Sequence, residues 1–351
     1  MTKSFAGNFF EDFRIGQTLR HATPRTLTGG DVALYNAIYG VRFAVPSSDA
    51  FARSLGLKES PVDELLAFHM VFGKTVPDIS LNAVANLGYA ECRFLKPVHR
   101  HETLSAVSEV IGLKENSNRQ TGIVYVRTTG LNQDGETVLS YVRWVMVRKR
   151  DVEAVVADQS APALAGAVSA GDLVLTPGLD FSGYDTVLAG SPHLWDDYAA
   201  GEKIDHVDGV TVEESDHMLA TRLYQNTAKV HFNQHTEGQG RFGRRLIYGG
   251  HVISLARALS FNGLANAAQI VAINAGRHVN PFFAGGTVYA WSQVIEKAEL
   301  PGRRDAGALR LKLIATKDRP CADFPDKDDK GVYPAEVILD LDYWAVMPRR
   351  G

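Results

Sequence analysis

"EDFRIGQTLRHATPRTLTGGDVALYNAIYG", residues 11–40, returns in altered form 185 positions later as "DDYAAGEKIDHVDGVTVEESDHMLATRLYQ", residues 196–225. The two stretches align without a gap. Asp12 meets Asp197, Gly16 meets Gly201, His21 meets His206 and Thr26 meets Thr211. Further along, Asp31 meets Asp216, Leu34 meets Leu219 and Tyr39 meets Tyr224. A second block repeats at nearly the same offset: "FLKPVHRHETLSAVSEVIG" (94–112) lies beside "HVNPFFAGGTVYAWSQVIE" (278–296). Two ordered blocks at one spacing mark an internal duplication. The chain therefore divides into one domain over residues 1–150 and its copy over 176–351. Residues 151–175, "DVEAVVADQSAPALAGAVSAGDLVL", join them and have the Ala, Ser and Gly content of a linker.

Each copy carries the same succession of elements. A short helical pattern ("TGGDVALYNAIYG" or "EESDHMLATRLYQ") is followed by a loop and then by a stronger apolar helix. In the first copy that helix is "SPVDELLAFHMVF", with Ser60 as expected N-cap, Pro61 at the first helical position and Asp63 completing a capping box. In the second it is "GHVISLARALSFN", with Val252, Leu255, Ala256 and Leu259 on one face. Strands follow. "GIVYVRTTG" and "TVLSYVRWVMV" flank the turn signal Asp134-Gly135, and "ALRLKLIATKD" and "AEVILDLDYWAVM" take their places in the second copy. One apolar helix followed by an antiparallel sheet reads as α+β, with the sheet wrapped round the helix.

Composition narrows the function. The 351 residues are 45% hydrophobic with a net charge of -3, which leaves no broad basic field for nucleic acid. No apolar run approaches the roughly 18 residues of a membrane span. The opening "MTKSFAGNFFEDFRIG" lacks the apolar core of a secretory signal. Cys92 and Cys321 are far apart and form neither a metal pattern nor a disulfide framework, as expected of a cytoplasmic protein.

On these residues the chain resembles the MaoC-like dehydratases of the hot-dog superfamily. The resemblance rests on the strand "FLKPVHRHETL" with its weaker copy "HVNPFFAGGTV", on a loop with a polar residue five positions before a histidine, and on glycine at the start of a central helix. It implies a tandem (double) hot-dog, each antiparallel sheet wrapping a central helix. The stretches "VPSSDAFARSLG" and "SPVDELLAFHMVFGKTVPDISLNAVANLGYAECRF" are similar, more narrowly, to the mesaconyl-CoA hydratase (β-methylmalyl-CoA dehydratase) branch. That implies reversible hydration of a 2-enoyl-CoA thioester, with an acyl-CoA as partner and coenzyme A as part of the substrate rather than a separate cofactor. No metal is implied. A homo-oligomer is expected.

The family's loop falls in "YQNTAKVHFNQH", residues 224–235. It places the catalytic pair at Asn226 and His231, with Asn where the family has Asp. An amide can orient water but cannot take its proton, so His231 must act as the base. In the first copy Val41 and Pro46 stand opposite these two, so a single working site is expected, in the second copy. Gly249 and Gly250, at the N-terminus of the second central helix, are the candidate oxyanion donors for the thioester carbonyl; Glu64 and Leu65 are their counterparts.

Other polar residues have plainer expectations. Asp31, Asp216, His21 and His206 read as structural, and His69 as a core histidine. His251 is without an assigned role. Arg93, Lys96 and His99, or the run "RFGRRL" (241–246), are candidates for coenzyme A phosphates. Arg42, Arg245 and Arg277 are candidates for the free carboxylate of a mesaconyl group. A straight-chain (R)-specific enoyl-CoA hydratase, a thioesterase and a non-catalytic acyl-CoA-binding protein stand as alternatives.

Overall fold

The computed structural model describes residues 3–350. The first half contains β1 (Thr18–Thr26), β2 (Ala83–Phe94), β3 (Thr103–Glu115), β4 (Thr121–Leu131) and β5 (Thr137–Arg148). The second contains β6 (Lys203–Thr211), β7 (Gln269–His278), β8 (Thr287–Glu299), β9 (Ala306–Lys317) and β10 (Val337–Pro348). All pair antiparallel, in the order β1-β3-β4-β5-β2-β7-β10-β9-β8-β6. Read inward from either edge, the order is the same, as a duplication demands. The two expected sheets are in fact one. They join where β2 pairs with β7, Tyr89 against Gly276 and Cys92 against Ile273.

Residues kept in both copies fasten the same joints. His21 Nε2 meets Ser108 Oγ at 2.8 Å, and His206 Nε2 meets Ser292 Oγ at 2.8 Å. Thr26 and Thr103 share a hydroxyl bond of 2.7 Å, matched by Thr211 and Thr287 at 2.8 Å. These contacts tie β1 to β3 and β6 to β8. Asp31 and Asp216 complete capping boxes at the starts of the helices Gly29–Tyr39 and Glu214–Leu223. The structural reading of these four residues therefore holds.

Two central helices, Glu64–Thr75 and Gly249–Leu259, lie under the sheet. Both are buried on nearly every side, so the amphipathic stripe of a surface helix is absent. Residues related by the 185-residue offset touch one another between the halves. Tyr224 donates its hydroxyl to that of Tyr39 (2.8 Å), and Ser254 Oγ meets His69 Nε2 (3.1 Å). A residue in contact with its own counterpart lies beside the two-fold relation of the halves. The core histidine is thus seated at the centre of the pseudo-dimer.

The first central helix begins at Glu64, later than the sequence suggests, with Asp63 as N-cap accepting from the Leu65 amide at 2.9 Å. Ser60 cannot cap because Asp49 engages both its amide (3.0 Å) and its hydroxyl (2.6 Å). Val62 N–H donates to Val98 O at 2.7 Å, which holds the chain extended up to Asp63. Residues 151–175 are packed against both halves. Ser160 bridges to Leu113, the Val168 amide donates to Asn274 Oδ1 (2.8 Å), and Trp344 donates to the Val168 carbonyl (3.0 Å). Among the described residues no helix is long and apolar enough to cross a membrane.

Candidate active site

The helix Glu214–Leu223 ends at Tyr224, and the chain then crosses the first central helix. It can do so because residue 73 is glycine: a Cβ there would lie 1.8 Å from the Tyr224 carbonyl oxygen. The loop of the second half is therefore seated on the first half. Asn226 follows directly and is buried. Its Oδ1 accepts from the Ala228 amide at 3.0 Å, closing a tight turn and leaving one oxygen lone pair and the NH2 group for other partners. A single helical turn, Lys229–His231, then brings up the histidine.

His231 is half-buried. Its Nδ1 lies 3.0 Å from the Leu246 carbonyl, which can only accept, so Nδ1 carries the proton and Nε2 presents its lone pair. The Leu246 amide donates in turn to Val230 O at 2.9 Å, clasping the two sides of the loop. The His231 ring stands edge-on to Tyr248, with centroids 5.4 Å apart. Burial lowers its pKa to about 4, only partly opposed by the bond to Leu246. The imidazole is a neutral base at physiological pH.

Tyr248 is the N-cap of the second central helix, and its side chain makes no capping bond. The amides of Gly249 and Gly250 lack acceptors within the helix, as first-turn amides do, and no capping side chain claims them. The counterpart helix differs: Asp63 caps it with a carboxylate, and Glu64 stands where Gly249 would be. Burial, and then the neighbouring Asp63, raise the Glu64 pKa. One helix tip is capped by its own acid and the other has no capping side chain.

The glycines do not leave Cα space for a ligand. A Cβ on Gly249 would fall 2.3 Å from the His278 ring, and one on Gly250 would fall 2.4 Å from Tyr248 and 2.6 Å from His69. Their lack of a side chain instead lets three rings press against the helix tip. His278 was not legible as a site residue. It ends β7, meets the Tyr89 hydroxyl through Nε2 at 3.2 Å, and has a pKa lowered to about 4 by burial and then by His231. Its position follows from strand parity, since β7 turns Gly276 and His278 toward the helix and Arg277 away.

The other candidates fall apart spatially. Arg277 lines an outer cleft with Trp144, Ile295 and Lys312. Arg42 is exposed over the Phe261 ring, beyond the far end of the second central helix. Arg245 is ion-paired with Glu214. Arg93 donates to the Asp172 carbonyl at 2.9 Å, Lys96 pairs with Glu136, and His99 lies 3.8 Å from Glu59. Arg241 and Arg244 remain exposed beside Phe242 and Phe283. His251 binds Tyr39 through Nδ1 at 3.0 Å and is buried.

Two fused hot-dog units with a histidine loop facing one uncapped helix tip make this a double hot-dog protein of the MaoC-like kind. A crystal structure of a MaoC domain protein from Chloroflexus aurantiacus superposes with a TM-score of 0.98 at 61% identity, covering 100% of both chains. A Mycobacterium tuberculosis protein with a double hotdog fold, 24% identical, shares the fold with a TM-score of 0.74 over 98% of this chain and 99% of that one. The chain belongs to the mesaconyl-CoA hydratase family, whose model matches residues 2–324. It is 65% identical to the mesaconyl-CoA hydratase of Cereibacter sphaeroides, covering 99% of this chain and 100% of that one. It is 61% identical to the β-methylmalyl-CoA dehydratase of Chloroflexus aurantiacus over 99% of both.

Proposed function

We propose that the chain catalyses the reversible addition of water to mesaconyl-CoA to give β-methylmalyl-CoA. The observation that supports this most strongly is a tautomer-fixed His231 whose ring lies 5.4 Å from that of Tyr248, the N-cap residue of the uncapped helix that opens on Gly249 and Gly250. In the proposed reaction the thioester oxygen accepts from the Gly250 amide, so charge that develops on it meets the helix dipole. Asn226 and His231 hold one water against the β-carbon. His231 Nε2 takes a proton as the C–O bond forms, and returns it to the α-carbon on the same face. Dehydration reverses the steps. The conjugated carbonyl stabilises the carbanion character, so the scheme calls for no metal or redox cofactor. The proposal keeps a cytoplasmic location, with which the buried thiols Cys92 and Cys321 agree, and assembly into a homo-oligomer.

The direct test is to mix the protein with mesaconyl-CoA and follow the conjugated thioester absorbance. Loss of absorbance with β-methylmalyl-CoA as product is expected; release of free coenzyme A would instead mean a thioesterase. The pH profile is a second test. A base with a lowered pKa stays deprotonated until the pH falls to that value. Hence kcat/KM is expected to be flat from neutrality down to about pH 5 and to fall with a midpoint near 4. A midpoint at 6.5 would mean that His231 titrates as if in water.

A further inference from the structure

Arg143 is fully buried on β5, and among the described residues no carboxylate lies within salt-bridge distance of it. Its guanidinium rests 4.3 Å from the centre of the Phe72 ring, and Nη2 donates to Thr75 Oγ1 at 2.7 Å. The Ser80 hydroxyl is 3.4 Å away, and Nε has no partner. The Phe72 ring it rests on lies in turn 5.8 Å from the Tyr248 ring, 6.1 Å from that of Tyr89 and 6.4 Å from that of Tyr141. Tyr248 touches His231, and Tyr89 holds His278, so this lone cation stands one aromatic layer behind the reacting end of the site. A buried charge without a counter-charge is strongly disfavoured unless a partner arrives.

The first helix tip carries acids where the second has none. The 185-residue offset relates Phe72 to Arg257. The strand segments "YVRWVMV" (141–147) and "LDYWAVM" (341–347), in register at Trp144 and Trp344, relate Arg143 to Tyr343. Each half thus builds one arginine against one ring, with the helix and strand roles exchanged; Arg257 lies 6.0 Å from the Tyr343 ring. Arg257 is within electrostatic reach of Asp63 and Glu64, the acids at the first helix tip. At the second tip the same positions hold Tyr248 and Gly249. One corner carries its own carboxylates opposite its arginine, and the other carries an arginine with no carboxylate.

We infer that Arg143 is the specificity-determining residue for the free carboxylate of a dicarboxylic enoyl-CoA, which would supply at the second helix tip the acid that the first tip carries as Asp63 and Glu64. This rests on the proposed hydratase reaction. It also replaces Arg42, Arg245 and Arg277 in that role, since none of the three is both buried and unpaired.

Tiglyl-CoA is mesaconyl-CoA with a methyl group in place of the carboxylate, so it isolates the contact. The measurement is the ratio of kcat/KM for mesaconyl-CoA to that for tiglyl-CoA, in the wild type and in Arg143→Gln. The ratio is expected to fall at least 100-fold in the variant, mainly through KM for mesaconyl-CoA. An unchanged ratio, with both substrates affected alike or neither affected, overturns the assignment. Competition binding with the wild type covers the case in which Arg143→Gln fails to fold. Methylsuccinyl-CoA should bind at least 100-fold more tightly than 2-methylbutyryl-CoA, and equal binding overturns the inference. A wild type that leaves mesaconyl-CoA untouched would refute the hydratase reading itself, whereas a wild type that hydrates it beside an unaltered Arg143→Gln refutes only the role of Arg143.

Discussion

Replacing His231 by alanine is expected to lower kcat for mesaconyl-CoA hydration by roughly 10³- to 10⁴-fold, the upper range for removal of a positioned general base. KM should stay within about threefold, because the lost interaction is made with the reacting water rather than with the thioester. The structure supplies the reason for so large an effect. Asn226 is an amide and its Oδ1 already holds the Ala228 amide, so it cannot take over the proton. Of the imidazoles around it, His278 has its Nε2 engaged by Tyr89 and His217 has its Nε2 engaged by Glu214. Stability should change little, since His231 is only half-buried and the clasp between Val230 and Leu246 is a backbone bond. Steady-state kinetics beside thermal unfolding read both effects. A folded variant retaining a tenth or more of wild-type kcat would remove His231 from the role of base.

The duplication made the fold legible, and the structure shows why. Positions kept in both halves are joints. His21 and His206 reach matching serines, Thr26 and Thr211 reach matching threonines, and Gly16 and Gly201 both adopt a left-handed backbone, with φ of 80° and 88°. Tyr39 and Tyr224 were retained because they bond to each other between the halves. What could not be seen was the union of two sheets into one. The β2–β7 pairing is made by backbone groups between strands of different sequence, and no side-chain pattern announces it. The first central helix starts later than its sequence suggests for a similar reason. Ser60 is a good cap by type, but a partner distant in sequence, Asp49, occupies it.

The candidate site stands out in the sequence where the copies differ. Asn226 and His231 face Val41 and Pro46 across the repeat, and Gly249 faces Glu64. Divergence at those positions is the chemical counterpart of identity at the joints. The sequence does not single out His278 and Arg143, because each lies in a strand that also reads as ordinary sheet. The signal for Arg143 was present nonetheless: in "YVRWVMV" it shares its parity with Tyr141 and Val145, both fully buried. An arginine on the inward face of a strand asks for a counter-charge, and that question can be put from sequence alone.

The Gly250→Ala variant is expected to damage both catalysis and folding, and the two effects can be separated. The new methyl would lie 2.4 Å from the Tyr248 ring and 2.6 Å from His69. Neither ring can easily yield. Tyr248 OH bonds His69 Nδ1 at 3.3 Å, His69 Nε2 meets Ser254 at 3.1 Å, and all three residues are buried. Overpacking of this kind costs about 1–3 kcal/mol, which a shift in the denaturant midpoint at constant slope would report. Strain is relieved most simply by moving the helix tip, which carries the proposed oxyanion donors; loss of one such donor lowers kcat by roughly 10²- to 10³-fold. The equivalent position in the first helix holds Leu65, at a tip that Asp63 caps. If Gly250→Ala lost stability but kept kcat, the glycine would serve ring packing alone and the thioester oxygen would have to be held elsewhere. A fall in kcat beyond the loss of folded protein ties the tip to the chemistry.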